Sequence, residues 1–378
     1  AEKTGGFTGD MTTTNKHALH IVHGYNEPFL SLSNQYSRAL QSDGWRVTTA
    51  YLTGVADESI RQKTVADSVL FFATPDSKMK GLKLDLALRV RKLVLQHDIK
   101  LIIAQRYKSL YLALLGSIGT NIPVLGIAHA FGVLKSAGRR KLLSFFRARL
   151  TIAGVSAAVT ADMRSQKNNL RLVALHNCID TATLESELLS RHDARQHLHL
   201  GSNEFVFANV GRLHDDKDQA TIIRAFALLA EKYPHTKLLL IGKGKREAQY
   251  QALIEQLNLQ GRAILTGAVP DAATLFTAFD VYVSASDREP FGIVLTEAML
   301  ARIPVISTNC GGAPEVLGEY ALYFARGDER ALAAHMETMI GLSAQQRAEK
   351  GELLYTRLQQ QFAFLPFSKR LLTLVHSL

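Results

Sequence analysis

The sequence predicts an α/β protein of two doubly wound domains, and three observations predict it. Short apolar runs alternate with helix-like stretches from Leu19 to Ala174, the pattern of a parallel sheet covered by helices. A charged, helix-prone stretch without a strand signal, Asp180 to Ser202, interrupts that pattern. The alternation restarts at Phe205-Val206-Phe207-Ala208-Asn209-Val210-Gly211. A chain of 378 residues is long enough for two cores.

Taken in order, Leu19 to His23 reads as the first strand, ended by Gly24. A helix with Leu30, Tyr36, Ala39 and Leu40 facing inward follows, and Asp43-Gly44 breaks it. Trp45 to Ala50 is the second strand. Residues 83–97 have helical apolar spacing at Leu84, Leu86, Leu88, Val90, Leu93 and Val94. Strand Leu101 to Ala104, helix 109–115 and strand Val124 to Ala128 come next, and strands Ala153 to Val155 and Arg171 to Ala174 close the first domain. The second domain continues with helix 218–232, strand Lys237 to Gly242, helix 246–257 and strand Ala263 to Gly267. Strand Val281 to Val283 follows, then a strand around Ile306 and the turn Gly311-Gly312-Ala313-Pro314-Glu315. The tail after Gln345 is helical, and Phe362, Phe364, Leu365 and Phe367 can return to the first domain. The expected boundaries are 11–185 for the first domain, 186–202 for a linker, 203–355 for the second domain and 356–378 for the returning helix; residues 1–10 read as a leader or a cloning remnant.

Composition narrows the function. Hydrophobic residues at 47% suit packed cores rather than disorder. Cys178 and Cys310 are the only cysteines and form no CxxC or zinc pattern, which suggests a reducing compartment and a cytoplasmic enzyme. The most apolar window, Leu110 to Ala128, is broken by Gly116, Gly119 and Pro123, so it reads as helix, turn and strand, not a bilayer span. The formal charge of +10 is uneven: residues 1–180 carry 24 Lys and Arg against 12 Asp and Glu. An anionic partner of the first half is therefore expected. Net charge alone would also suit a nucleic-acid binder, but no reader module or interleaved stacking aromatics support that alternative, and no nucleic acid is expected as a partner.

The motif richest in chemistry is Ser284-Ala285-Ser286-Asp287-Arg288-Glu289-Pro290-Phe291-Gly292, leading into Ile293-Val294-Leu295-Thr296-Glu297. It puts Glu289 in a loop and Glu297 about two helical turns further on. Phe291 and Gly292 sit between them, where a helix should begin, and the exposed N–H groups there can hold a diphosphate. A carboxylate down the helix can accept hydrogen bonds from paired ribose hydroxyls. Gly211-Arg212-Leu213-His214-Asp215-Asp216-Lys217 also ends a strand, and Arg212 and Lys217 suit a diphosphate as a planar fork and a point charge. Asp216-Lys217-Asp218 has the outline of a metal-binding Asp-x-Asp, but its middle residue is basic, and no metal is expected. Ile241-Gly242-Lys243-Gly244 starts a dinucleotide fingerprint whose third glycine is replaced by Glu247, which argues against a nicotinamide site. Gly267-Ala268-Val269-Pro270 is a second strand-end loop. His129 ends a strand of the first domain, whereas His17, His20 and His23 lack ligand geometry and read as structural. Leu134 to Leu150 interleaves Arg139, Arg140, Lys141, Arg147 and Arg149 with Leu142, Leu143, Phe145 and Phe146. This is either an ordinary helix with one core face or a basic amphipathic helix lying on an anionic membrane; charge asymmetry favours the membrane.

Glu, seven residues, Glu from Glu289 to Glu297 resembles the signature of the retaining glycosyltransferases of family four, which have the GT-B fold. The resemblance is most specific from about Val206 to Glu319. It implies two facing Rossmann-like domains with the donor, a nucleotide-diphosphate sugar such as a UDP-sugar, held on the second and no further cofactor. Arg212 and Lys217 would neutralise the leaving diphosphate, Glu297 would bind the ribose, and Glu289 with the Phe291-Gly292-Ile293 backbone would hold the sugar. Gly242, Gly244, Gly267 and Val269 would lie beside the nucleotide, and His129 near the transferred sugar. The family has a richer glycine loop where this chain has His23-Gly24-Tyr25-Asn26-Glu27-Pro28, so a donor contact at Gly24 rests on less. The expected acceptor is a phosphorylated cell-envelope glycan or glycolipid, lipopolysaccharide core first, met at the inner membrane surface. A sugar-nucleotide epimerase on the same fold is the alternative enzyme.

Overall fold

The computed structural model of the chain describes residues 16–75, 79, 81 and 83–378, so the expected leader at 1–10 lies outside the described residues. The first domain is built on a sheet of seven parallel strands: β1 (His17–Val22), β2 (Arg46–Tyr51), β3 (Ser68–Phe71), β4 (Leu101–Gln105), β5 (Val124–Ala128), β6 (Leu150–Gly154) and β7 (Arg171–Ala174). Their order across the sheet is β3-β2-β1-β4-β5-β6-β7. The second has six: β8 (Phe205–Val210), β9 (Thr236–Ile241), β10 (Ala263–Gly267), β11 (Val281–Ser284), β12 (Val305–Thr308) and β13 (Leu322–Phe324), in the order β10-β9-β8-β11-β12-β13. Both are the doubly wound architecture that the alternation predicts. In each, strand order reverses beside the first strand, between β1 and β4 and between β8 and β11. Loops leaving the C-terminal ends of strands at such a reversal part and form a crevice.

Period-two alternation builds the second core. Phe207, Leu238, Leu240, Val281, Val283 and Ile306 point to one face and pack with Ile222, Phe226 and Leu332. Val206, Ala208, Leu239, Ile241, Tyr282 and Val305 point to the other and join an apolar cluster continuous with the first domain. Successive strand residues face opposite ways, so a sheet covered on both sides needs near-continuous apolar runs.

The structure adds elements that the pattern misses. β3 and β13 are edge strands of four and three residues, too short to show a period. The stretch read as a linker contains helix Arg191–His197, which packs on residues 272–278. Arg195 in that helix is 5% exposed and donates to the carbonyls of Gly201, Glu204 and Ala278. The expected single returning helix is two. Helix Ala344–Gln361, opened by a Ser343/Gln346 capping box, packs on helix Ile293–Leu300 of the second domain. The chain turns at Phe362-Ala363, and helix Phe364–His376 packs on helix Phe29–Ser42 of the first domain, with the Phe367 and Tyr36 rings 5.0 Å apart. Leu365 stays 78% exposed.

The basic stretch 134–150 requires a correction. It is no continuous amphipathic helix: only Ala137–Phe145 is helical, and β6 already begins at Leu150, ahead of the strand expected at Ala153. Phe146 cannot serve as a membrane anchor. It is 6% exposed, edge-on to Phe145 at 5.0 Å and under the Arg149 guanidinium at 5.1 Å. Phe145 is 79% exposed, and Arg139 and Lys141 face solvent beside it.

Candidate active site

Five loops of the second domain meet at the C-terminal edge of its sheet. The loop after β8 carries Gly211 to Lys217, and the loop after β9 carries Gly242 to Gly244. They touch backbone to backbone, Leu213 N–H donating to Lys243 O at 3.1 Å. A side chain at Gly242, where φ is +143°, would put its Cβ 1.9 Å from Gly211 O, and one at Gly244 would meet Leu213 O at 2.1 Å. These glycines are thus required by the packing of one loop on the other. Gly267 ends β10 at a register shift, with Val269 against the apolar core beyond it.

The loop after β11 rests on the turn after β12. Gly312 N–H donates to Glu289 O at 2.7 Å. Gly311 has φ +60°, and a Cβ there would lie 2.2 Å from Glu289 O. This seat fixes Glu289, which is 9% exposed. Its carboxylate accepts from Lys217 Nζ at 2.6 Å and from the Ser286 hydroxyl at 3.2 Å. Lys217 comes from the β8 loop, 72 positions earlier, and reaches Glu289 because β8 and β11 are neighbours. Arg212, by contrast, is not drawn into that pair. Its guanidinium is 73% exposed and stands 3.7 Å from Asp216, itself 2.6 Å from His214.

Gly292, with φ +91°, caps helix Ile293–Leu300. The Phe291 ring points away from the loops into the domain junction, where it is 2% exposed, 5.5 Å from the Phe362 ring. One helix face below, Glu297 is half-buried and has no side-chain hydrogen-bond partner among the described residues. Burial, with a smaller push from the Glu27 carboxylate, raises its pKa to about 8. An unpaired carboxylate in such a place is costly unless a ligand donates to it. Among the described residues no group of three or more His, Cys, Asp or Glu side chains is arranged to hold a metal ion.

The facing wall belongs to the first domain. His129, after β5, donates from Nε2 to the Gln105 side-chain carbonyl at 2.6 Å, while the Gln105 amide donates to His20 Nε2 at 3.0 Å. The carbonyl requires a proton on His129 Nε2, and the amide requires a bare Nε2 on His20. His129 therefore keeps Nδ1 as an acceptor. Burial first, then the Arg106 and His20 charges, lowers its pKa to about 3, so the ring is neutral. His20 and Gln105 are buried and structural, as the sequence suggests for His20, but neither was read as the support of His129. Phe29 meets the His129 ring edge-on at 5.4 Å, and Arg106 lies over Phe29 at 4.5 Å. Gly24 sits above Thr53, where a Cβ would come within 2.9 Å of its hydroxyl.

Two contacts tie the walls together. Arg288, next to Glu289, lies 5.2 Å from the Phe131 ring, two residues beyond His129. Glu315, in the glycine turn, accepts from the N–H groups of Ala157 and Ala158 at 2.7 Å each and from His176 at 2.8 Å. The Glu315 pKa is lowered: burial opposes, but His176 and the two amides outweigh it. This clamp pairs residues 158 positions apart, and no local pattern announces it.

Residues 34–183 match Glycosyltransferase Family 4, and residues 190–352 match Glycosyl transferases group 1. An uncharacterised glycosyltransferase of Methanocaldococcus jannaschii is 31% identical over 156 residues, 41% of this chain and 38% of that protein. A capsular polysaccharide biosynthesis glycosyltransferase of Staphylococcus aureus is 32% identical over 146 residues, 37% of each chain. The chain thus spans less than two fifths of the length of these two relatives. The Anabaena HepE structure with UDP and glucose superposes with a TM-score of 0.77 at 23% identity, over 96% of this chain and 99% of that one, a likeness of fold. With its first half matched to family 4 and its second to group 1, on two facing parallel-sheet domains, this chain belongs to the glycosyltransferases of the family 4 type and has the GT-B fold.

Proposed function

We propose that the chain is a retaining, metal-independent transferase that moves a sugar from a nucleotide-diphosphate sugar, UDP-linked, to a phosphorylated cell-envelope glycan, with lipopolysaccharide core as the leading acceptor. The observation that carries this reading is the Lys217–Glu289 pair, 2.6 Å apart at the start of the helix that holds the unpaired Glu297. Glu297 would take the ribose hydroxyls. Lys217 would meet the diphosphate, and Arg212, free to swing because it is exposed, would close over it. Negative charge grows on the diphosphate as the sugar leaves, so cations and N–H groups waiting there bind the transition state better than the substrate. Glu289 and the 291–293 backbone would hold the sugar, with His129 Nδ1 accepting from a sugar hydroxyl. Retention fits either a front-face return, in which the leaving phosphate takes the acceptor's proton, or a covalent sugar–enzyme intermediate. HepE, bound to UDP and glucose, and the capsular relative support the donor class and the envelope acceptor.

A thermal-shift panel of nucleotide sugars tests the donor. A UDP-sugar at saturating concentration is expected to raise the melting temperature by about 2–5 °C, and product analysis with core oligosaccharides is expected to show transfer with retained configuration. Interconversion of the free UDP-sugar without an acceptor would instead reveal an epimerase. We also propose that the enzyme touches anionic membrane through Arg139, Arg140, Lys141 and Phe145. Sedimentation with vesicles containing phosphatidylglycerol is expected to fall when the three cations are neutralised; sedimentation indifferent both to anionic lipid and to that change would refute the contact.

A further inference from the structure

From Ile99 to Ala161 the chain contains nine Lys and Arg and no Asp or Glu. Several first-domain cations have carboxylate partners: Lys16 with Asp43, Arg38 with Asp180, Arg61 with Glu58 and Lys100 with Asp98. Arg106 has none. Among the described residues no carboxylate lies within ion-pair distance of its guanidinium, which is instead stacked on Phe29 at 4.5 Å. Its backbone is left-handed, φ +71°, at the junction between β4 and the helix Arg106–Gly116. A long side chain is strained in that region and stays there only where the surrounding structure holds it. It follows Gln105, the residue that orients His129, and Phe29 bridges the two side chains. Lys83, also left-handed at φ +52°, extends the patch: its Nζ lies 4.9 Å from the Tyr111 ring, and its charge and that of Lys108 repel one another. Arg106 and Lys108 stand in the first turn of the helix after β4 and Lys83 at the start of the helix after β3; burial lowers the pKa of Arg106 and, with the Lys108 charge, that of Lys83, and among the described residues none of the three is in an ion pair.

We infer that Arg106, with Lys108 and Lys83, binds a phosphate group on the acceptor, holding the acceptor sugar against His129 while the donor's diphosphate is held by the opposite wall. The inference rests on the proposed function and names the acceptor's recognised group: a phosphomonoester or diphosphate, as on a sugar phosphate or a lipid-linked one. Arg106 supplies the planar fork that phosphate prefers, Lys108 and Lys83 supply point charges, and the absence of carboxylates over residues 99–161 removes repulsion. The site is separate from Lys217, so the chain would carry one phosphate-binding wall per substrate.

The test titrates the full chain, saturated with UDP, with glucose 6-phosphate and with glucose as neutral control, by calorimetry. Wild type is expected to bind the phosphate ester and not glucose; Arg106→Gln is expected to weaken that binding about ten-fold or more with UDP affinity unchanged. Lys108→Gln should weaken it less. No preference for the phosphate ester in wild type, or equal binding by Arg106→Gln, would overturn the inference. Absence of UDP binding to wild type would instead count against the donor site, and the same titration on the free chain would still read Arg106. Vesicles of phosphatidylcholine with and without phosphatidylglycerol separate the phosphate sources. Arg106→Gln that sediments like wild type but loses glucose 6-phosphate supports a cleft site, and the reverse pattern makes Arg106 a headgroup contact and overturns the assignment.

Discussion

Lys217→Ala is expected to lower kcat about 10²–10³-fold while UDP binding weakens far less. Removing one preformed charge donor aimed at a developing anion has costs of that size. The structure adds a second cause. Lys217 Nζ is the 2.6 Å partner of Glu289, and the Glu289 side chain is only 12% exposed. Without the ammonium, a mostly buried carboxylate keeps a single serine donor, a situation that costs stability and loosens the loop. The same variant should therefore melt lower than wild type, and Lys217→Arg should restore more stability than turnover, because a guanidinium can pair with Glu289 but does not occupy the same point. Steady-state kinetics with the best donor from the thermal-shift panel, beside a melting curve, reads both effects. Near-normal turnover in Lys217→Ala would remove the main support for the site.

Glu297 gives the second large effect, and it depends on pH. Its folded pKa is raised to about 8, above the ordinary carboxyl value of 4.5. A group raised in the folded state contributes stability that is full below the unfolded pKa and is lost as pH climbs through the folded one. The protonated carboxyl is tolerated in its half-buried place; the carboxylate is not. Glu297→Gln removes that penalty. Its melting temperature relative to wild type should accordingly rise from pH 6 to pH 9, by about 2–4 °C. A difference flat across that range would contradict the assigned environment. Function should move the other way. A ribose diol donates to a carboxylate more strongly than to an amide or a neutral acid, so UDP affinity of wild type is expected to increase from pH 6 to pH 8.5, and Glu297→Ala is expected to abolish most transfer. Calorimetry with UDP across that range checks the sign.

Much of this protein is legible before any coordinates. Alternating apolar runs reveal parallel strands because a strand covered on both faces has no polar side to show. Gly242, Gly292 and Gly311 announce loops because only such residues let backbones approach or turn as they do here. Glu289 and Glu297 stand out by spacing on one stretch of chain. Edge strands such as Leu322–Phe324 escape because three residues carry no period. Phe146 departs from the expectation because a phenylalanine next to Phe145 looks the same in sequence whether it faces solvent or core, and the early start of β6 decides which.

Local order, domain number and the loops that carry chemistry were thus set by residue patterning over a few turns or strands, where period and backbone freedom act. Which side chains meet was decided by the fold. Lys217 finds Glu289 only because β8 and β11 lie side by side, Glu315 reaches Ala157 only because two domains are packed together, and Arg106 stacks on Phe29 with no carboxylate in ion-pair range among the described residues only because the fold brings the ends of β1 and β4 together. Contacts between residues tens of positions apart are fixed by burial of the whole chain, and no short stretch of sequence contains that information.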